Sequence, residues 1–282
     1  MTALAASTRA EFLRLRRWPA VWAMAGAWLL LNVTFGYVFP YLSYRNGGGF
    51  ANDGVDARRL LASVLPGEVP VAVVRGMPMF GGAILFALGA LAAGSGYGWG
   101  TWKTAFTQGL RRRAVLGGTF AGLAGCVIAL VLGTFAVDLG VAMALAAAEG
   151  QGLRGPAPID LALALGGGFL VLILWATAGL AVGTLTRNPA LAVALGLVWT
   201  LAVENLLRAV SSLLDWLRPV TDVLPGTAAG STVAALGAEP VSRGGSPGVV
   251  DNLGGGPATA LTFAYIVVFV IITGVLARRD VT

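Results

Sequence analysis

The chain has 282 residues, of which 57% are hydrophobic and only 11% are charged. Soluble globular domains carry about 25% charged residues, so this composition excludes a soluble globular protein. The chain has a net charge of +6, no histidine and one cysteine, which argues against a zinc site built on His or Cys and against any mechanism that needs a histidine base.

The first predicted element is a surface helix over residues 8–18. Thr8 and Glu11 have the spacing of a capping box, which marks the start of a helix. Its apolar side chains recur at three-residue intervals and are expected to face lipid, whereas its basic side chains are expected to face water or phosphate headgroups. The apolar side chains are Phe12, Leu15 and Trp18, and the basic ones are Arg14 and Arg17. An ordinary positive flank before a membrane helix explains these residues equally well.

Six apolar segments follow the surface helix. Five charge-free runs are at least 24 residues long, and about 20 residues suffice to cross a bilayer as a helix. A sixth run, 188–203, has 16 residues and reaches a full span only if Glu204 lies in the membrane or at its outer edge. The sequence therefore predicts an all-α polytopic membrane protein with spans at about 19–39, 77–97, 114–137, 161–186, 188–207 and 257–277.

Small residues recur every four positions within several of these spans. This spacing lets helix backbones approach closely in lipid. We expect intrachain helix packing at each place, with a dimer seam as the alternative. The residues are Ala90, Gly94 and Gly98 in the second span, Gly118 and Gly122 in the third, and Gly179 and Gly183 in the fourth.

Two long segments are predicted on the outer side of the membrane. Residues 40–75 carry a glycine triplet and are expected to form a loop. The segment 204–256 begins with apolar residues at helical spacing, which predicts a short helix at or dipping into the outer interface that ends at Pro219. The remainder of that segment is rich in Gly, Ser and Pro and is expected to be a loop.

The segment 98–113, GWGTWKTAFTQGLRRR, lies between the second and third spans. Wound as a helix, it places Trp99, Trp102, Phe106 and Leu110 on one face and Thr101, Thr104, Gln108 and Arg111 on the other. Lys103 lies at the edge of the apolar face, where it can reach lipid headgroups. This pattern predicts an interfacial helix whose hydroxyl and amide groups suit contact with another protein.

The distribution of charge predicts the orientation of the chain. With the N-terminus in the cytoplasm, the inner segments hold eleven basic and two acidic residues, net +9, and the outer segments hold eight basic and eleven acidic residues, net −3. The positive-inside rule therefore places both termini and residues 98–113 in the cytoplasm, with the chain in the plasma membrane. Because the basic charge orients the chain, no nucleic-acid partner is expected, and the long first apolar run does not suit a cleaved signal peptide.

Several of these features together resemble the permease subunits of ABC-2 type transporters. These subunits often open with a short surface helix, as in EFLRLRRWPAVW at 11–22, and carry a hydrophobic–Gly–Thr core followed by arginines in their first cytoplasmic loop, as in WGTWKTAFTQGLRRR at 99–113. Six spans, a long outer segment before the last span and a terminal Arg279-Asp280-Val281 extend the resemblance over the whole chain, 1–282, as a single permease domain. One departure is Gly96, where many members have a glutamate.

The resemblance implies an exporter subunit that moves a drug, lipid, peptide or other amphiphile and is not itself an enzyme. It implies a second permease copy, identical or related, and a separate ATPase subunit that holds ATP and Mg, so this chain has no cofactor, catalytic residue or metal site of its own. The N-terminal interfacial helix includes Glu11, Phe12, Arg14 and Trp18. The coupling residues that would dock on the ATPase are Trp99, Gly100, Thr101, Lys103, Thr104, Gln108 and Arg111.

The chain itself has no ATP-binding loop, because a P-loop needs a lysine after its glycines and the only lysine is Lys103. The two alternative functions are a secondary transporter or channel and an intramembrane enzyme. A secondary transporter or channel often carries charged residues near the membrane midplane, and an intramembrane enzyme needs a nucleophile with a base or a metal. The candidate acids, Asp138, Asp160 and Glu204, are all predicted near the outer edge, with no intramembrane pair. ATPase stimulation that requires a co-expressed partner would separate these functions.

Two roles are open for Glu204. Arg208 lies four residues later on the same helix face, so the two side chains can pair and close the helix at the outer headgroups. The alternative is that Glu204 lines the exit of a transport path between subunits, where it contacts a cationic or polar group of the substrate. A carboxylate at the centre of a membrane helix costs about 2.5–3.5 kcal/mol on insertion scales, so either role needs a compensating partner.

Overall fold

The computed structural model describes residues 3–47, 56–98, 112–211 and 213–279. These residues form helices that we number in chain order. They are α1 (Ala3–Arg17), α2 (Pro19–Asn46), α3 (Ala57–Ala62), α4 (Pro66–Gly98), α5 (Arg112–Ala148), α6 (Pro158–Thr186), α7 (Pro189–Ser211), α8 (Arg218–Asp222), α9 (Pro225–Ala235) and α10 (Gly255–Arg279). Short 3₁₀ turns lie at Asp215–Leu217 and Val241–Arg243.

The predicted fold class is confirmed in its coarse form. Within the described residues the chain is helical without strands, and six helices are long and apolar enough to cross a membrane. They are α2, α4, α5, α6, α7 and the part of α10 from Gly255 to Ala277. This gives the chain the character of a polytopic membrane protein.

The core of the bundle is the contact between α4 and α6. In the most apolar stretches of these two helices 67% and 56% of residues are buried, against 17–28% in the other four long helices. Glycines bring the backbones together: an added Cβ would lie 2.0 Å from the Ala176 carbonyl oxygen at Gly89 and 1.9 Å from the Phe86 carbonyl oxygen at Gly179. Only residues without a side chain allow so close an approach.

The small residues in the other spans also pack within the chain. Gly94 lies against Pro189 at the start of α7, Gly183 lies against Ala90, and Gly118 lies against Ser7 of α1. The predicted intrachain packing is therefore confirmed in all three spans that carry the four-residue spacing. Each close contact removes backbone from lipid at little cost in side-chain entropy.

The segment expected to be a loop at 40–75 is mostly helical where it is described. Helix α2 continues to Asn46, α3 follows, and α4 already begins at Pro66. Pro66 begins α4, and a missing backbone N–H in the first turn of a helix leaves no hydrogen bond unmade. Similarly, α5 extends beyond its predicted end to Ala148.

A buried helix replaces part of the loop expected before the last span. Helix α9 begins at Pro225, and every residue from there to Val233 is buried against α10 and neighbouring helices. Its Gly, Ala, Ser and Thr residues resemble a loop in composition but permit tight packing. The hydroxyls of Thr232 and Thr262 approach within 3.3 Å of one another across the contact with α10.

The bundle has two distinct ends. We call the end that holds α1 the α1 end; it also holds Ala92 of α4, Gly117–Gly125 of α5 and the turn before α7. We call the opposite end the far end; it holds α3, α8, α9 and the last residues of α2 and α5.

Candidate functional site: two polar regions in the bundle

The predicted coupling segment lies outside the described residues. This applies to Trp99, Gly100, Thr101, Lys103, Thr104, Gln108 and Arg111. The helices on either side of it are described: α4 ends at Gly98 and α5 begins at Arg112, both at the α1 end. The coupling role of these residues therefore stays a prediction.

The face of helix α1 that was predicted to face lipid packs partly against α5. Leu15 was expected to face lipid, but it is 1% exposed and packs beside Gly122 of α5. A row of glycines on α5 forms the groove, since Gly118 contacts Ser7 and Gly125 contacts Phe12. Phe12 itself is 48% exposed, so only part of the apolar face is available to lipid.

Glu11 and Arg14 of α1 bind within the protein, whereas Arg17 is exposed, as expected. Arg14 forms an ion pair with Glu11 at 2.6 Å and donates to the Ala92 carbonyl oxygen of α4 at 3.3 Å. Its guanidinium also lies 5.8 Å from the centre of the Trp18 ring. Arg14 was expected to face water or headgroups, but its side chain, which is 32% exposed, also has two partners within the protein. Burial raises the pKa of Glu11, and Arg14 partly opposes the shift.

A second polar region lies within the membrane helices towards the far end, where three π-helical turns meet. They lie at Thr34–Val38 in α2, Met77–Gly81 in α4 and Trp199–Val203 in α7. The rings of Phe35 and Phe80 stack at 6.1 Å, and Asn205 donates to the Met79 sulfur at 3.5 Å, so the turn in α4 contacts both others. Single π-helical turns inside α-helices are frequent at functional sites.

Helices α2 and α5 are joined by two buried hydrogen bonds one helical turn apart. Trp28 Nε1 donates to Thr134 Oγ1 at 2.8 Å, and Asn32 Nδ2 donates to Asp138 Oδ1 at 2.6 Å. Asp138 is fully buried, and its Oδ2 has no hydrogen-bond partner. A hydrogen bond to a charged group contributes about 1.5–3 kcal/mol, so this pair holds α2, which is otherwise mostly lipid-exposed, against the bundle.

Arg75 of α4 provides the positive charge near Asp138. Its Nη2 donates to the Gly36 carbonyl oxygen in the π-helical turn of α2, where an added Cβ would lie only 3.1 Å from the same nitrogen. Arg75 and Asp138 attract one another electrostatically across the interior. Tyr37 is also buried beside them, and its hydroxyl has no hydrogen-bond partner. The bundle thus contains an incompletely paired set of polar groups.

A cavity of about 110 Å³ lies next to these groups. Ten residues line it: Trp28, Leu31, Asn32, Phe35, Gly36, Arg75, Gly76, Phe80, Ser246 and Pro247. Phe35 and Pro247 are exposed, which places the mouth of the cavity beside them. A water molecule needs roughly 10–15 Å³ of such space, so the cavity can hold several waters or a small chemical group.

Glu204 connects α7 to the start of α9. It is 1% exposed, and its Oε1 accepts from Trp199 Nε1 at 2.6 Å. The backbone N–H of Gly226 donates to the same carboxylate, where the partial positive charge of a helix N-terminus favours an anion. Among the described contacts Arg208 donates instead to Asn205 at 2.7 Å, so the direct pair with Glu204 that the spacing indicated is not formed.

The structure buries two of the three candidate acids within the protein. Asp138 and Glu204 are buried within the long helices, and α5 continues from Asp138 to Ala148, about 15 Å further. Asp160 is exposed near the start of α6, as expected. Sequence reasoning missed Arg75 because it was assigned to a loop. The available signal was its position directly before the charge-free run that begins at residue 76.

The described residues offer no site of the kind that transition metals use. Within 3–47, 56–98, 112–211 and 213–279, no group of three or more Cys, Asp or Glu side chains is placed to hold a metal ion. No family model matches the chain, and no curated protein matches it significantly. The functional argument therefore depends on the residues themselves.

Proposed function

We propose that this chain is the permease subunit of an ABC-2 type exporter in the plasma membrane, with both termini in the cytoplasm. It moves an amphiphile such as a drug, lipid or peptide, and a separate ATPase subunit supplies the energy. It acts with a second permease copy, identical or related, and hydrolyses nothing itself. The observation that carries the proposal is the polar, arginine-rich segment 98–113, inserted between α4 and α5 at the α1 end.

The packing at the α1 end supports a role in transmitting force. Helix α1 fits the glycine groove of α5 and binds α4 through Arg14 and the Ala92 carbonyl oxygen. The two helices that flank 98–113 are therefore also held by α1. A displacement of the segment by an ATPase subunit would move α4, which contacts α6 in the core, together with α5.

The polar face of the segment is the proposed docking surface. Thr101, Thr104 and Gln108 offer hydroxyl and amide groups, which form directional hydrogen bonds with a protein partner. The arginines at its end, beginning with Arg111, suit acidic side chains or lipid phosphates. The opposite face, with its tryptophans, suits the lipid boundary.

A secondary transporter is the second candidate, and one observation favours it. Asp138, Arg75 and Glu204 lie within the long helices rather than at their ends, and ionisable residues in such positions mark proton or ion pathways in many transporters. In that case an ion gradient would drive transport without an ATPase. In the exporter these residues would hold the helices or contact substrate instead.

Site-specific crosslinking tests the docking surface directly. In a Cys126→Ala background, Thr104→Cys lies on the predicted polar face, and Phe106→Cys lies on the predicted apolar face as the matched control. We expect Thr104→Cys to crosslink to an ATPase subunit in native membranes and Phe106→Cys to fail. Free labelling of Thr104→Cys with no crosslinked ATPase would contradict the proposal.

The energy source separates the two candidates. Proteoliposomes that contain the chain together with the ATPase subunit identified by crosslinking should transport a fluorescent amphiphile only when ATP is supplied. Proteoliposomes that contain the chain alone should show no transport driven by a proton or sodium gradient. Gradient-driven transport without ATP would favour the secondary transporter.

A further inference from the structure

The cavity beside Phe35 contains one charged side chain. Of its ten lining residues, Arg75 alone is ionisable. Asp138 lies behind Asn32, whose amide donates to it, and Asp138 is not among the lining residues. The group that the cavity presents to a ligand is therefore a guanidinium.

Most of the N–H donors of the Arg75 guanidinium have no described hydrogen-bond partner. Arginine has five N–H groups, and the structure describes one hydrogen bond from Arg75, to the Gly36 carbonyl oxygen. That bond holds one end of the guanidinium against the π-helical turn of α2, and Arg75 is among the residues that line the cavity. Arg75 is half-buried although it lies within a membrane helix, so its exposed part borders the cavity.

The remaining walls suit a hydrocarbon. Trp28, Phe35 and Phe80 contribute aromatic rings, Leu31 contributes an aliphatic side chain, and the exposed Phe35 ring stands at the mouth. Phe35 belongs to a helix whose outer surface is apolar, with Leu30 69% exposed nearby. A ligand that enters here comes from the lipid-facing side of α2.

We infer that this cavity binds the acidic headgroup of a membrane amphiphile, with Arg75 as its partner and the first part of its acyl chain against the aromatic walls. A guanidinium pairs with phosphate or carboxylate through two parallel hydrogen bonds. In a zwitterionic headgroup the choline cation offsets the charge of the phosphate and would itself be repelled by Arg75, so a headgroup with a net negative charge binds more tightly. The negative charge of the headgroup complements Arg75, the one ionisable residue among those that line the cavity. The inference goes beyond the proposed export function and holds whether or not an ATPase drives the chain.

Native mass spectrometry of the full chain in non-ionic detergent tests the inference. The probes are phosphatidylglycerol, phosphatidylcholine with the same acyl chains, and inorganic phosphate as a competitor. We expect phosphatidylglycerol to bind at least tenfold more tightly than phosphatidylcholine, and millimolar phosphate to leave it bound. Equal binding of the two lipids would overturn the assignment of an acidic headgroup, and displacement by phosphate would assign the site to a free anion.

Substitutions assign the binding to Arg75. Arg75→Gln should weaken phosphatidylglycerol binding at least tenfold, equal to about 1.4 kcal/mol. Arg75→Lys keeps the charge but loses the two parallel hydrogen bonds, so it should retain only part of the binding. Arg58→Gln removes the same charge from an exposed position on α3 and should bind as the unmodified chain does. Ser246→Trp fills the cavity without altering any charge and should also abolish binding, so a folding defect in Arg75→Gln leaves the inference testable. Unchanged binding in both Arg75→Gln and Ser246→Trp would overturn it.

Discussion

Replacement of Gly179 by alanine should separate the two helices at the core of the bundle. The added Cβ would lie 1.9 Å from the Phe86 carbonyl oxygen and 2.9 Å from the Ala90 backbone nitrogen. These are backbone atoms of α4, which cannot rotate away as a side chain does. Helices α4 and α6 must therefore move apart by roughly 1.5 Å at this point to restore an ordinary contact.

The cost follows from the contacts that are lost. Overpacking of a tight interior typically costs about 1–3 kcal/mol, and the better helix propensity of alanine returns only about 0.5–1 kcal/mol. We expect a net destabilisation of about 1–2 kcal/mol. For a chain of this size, about 2–4 °C per kcal/mol gives an apparent Tm that is lower by about 2–8 °C.

Thermal unfolding in detergent, followed by tryptophan fluorescence, measures this difference. Gly140→Ala is the matched control, because Gly140 also lies in a long helix and an added Cβ there meets no described atom within 4 Å. Its apparent Tm should equal that of the unmodified chain or exceed it slightly. If Gly179→Ala were as stable as Gly140→Ala, the close approach of α4 and α6 would be refuted.

Three further substitutions test other contacts. Glu204→Ala should lower the apparent Tm by several degrees, because it removes a buried side chain that accepts a hydrogen bond from Trp199 Nε1, a loss of about 1–3 kcal/mol. Glu204→Gln keeps an acceptor and should stay closer to the unmodified chain; equal losses would contradict this account. Tyr41 donates a hydrogen bond to Glu149, which lowers the pKa of the Glu149 carboxyl below its usual 4.5. The stability that this carboxylate adds is present at pH values above 4.5 and is lost as the pH falls through the lower pKa of Glu149 in the folded chain. The difference in apparent Tm between the unmodified chain and Glu149→Gln should therefore shrink as the pH falls below about 4.5, and a constant difference would refute it. Gly122→Leu should displace α1 from α5 and so expose Cys126, which lies one helical turn from Gly122. N-ethylmaleimide should then alkylate Cys126 faster, with no change expected for the control Gly140→Leu. An unchanged rate in Gly122→Leu would show that α1 is not held there.

The sequence alone was sufficient for the number and approximate position of the membrane helices. Their signal is local, because each apolar run must cover the hydrocarbon by itself and the absence of charge is visible without any neighbour. The sequence was less informative about the residues at which the helices begin and end. Residues from Pro66 to Arg75 contain prolines and charges and were assigned to a loop, although a proline in the first turn of a helix, such as Pro66, leaves no hydrogen bond unmade.

Composition alone could not place α9 or the faces of α1. The run from Pro225 to Ala235 consists largely of small residues, which suit both an exposed loop and a tightly packed helix. Leu15 lies on an apolar face that lipid could cover equally well, and the glycine groove on α5 decides that protein covers it. A helical period shows which side chains share a face but not which surface that face meets.

For the same reason, the contacts among the polar groups of the interior could not be predicted from the sequence. Asn32, Arg75 and Asp138 lie in separate helices, and their proximity follows from the packing of α2, α4 and α5. What the sequence by itself determined is the all-helical, lipid-compatible character of the chain, because hydrophobicity and charge act residue by residue. Only the tertiary structure decided that Arg75 and Asp138 lie close together beside a cavity, because electrostatic pairing depends on distances between residues that are far apart along the chain.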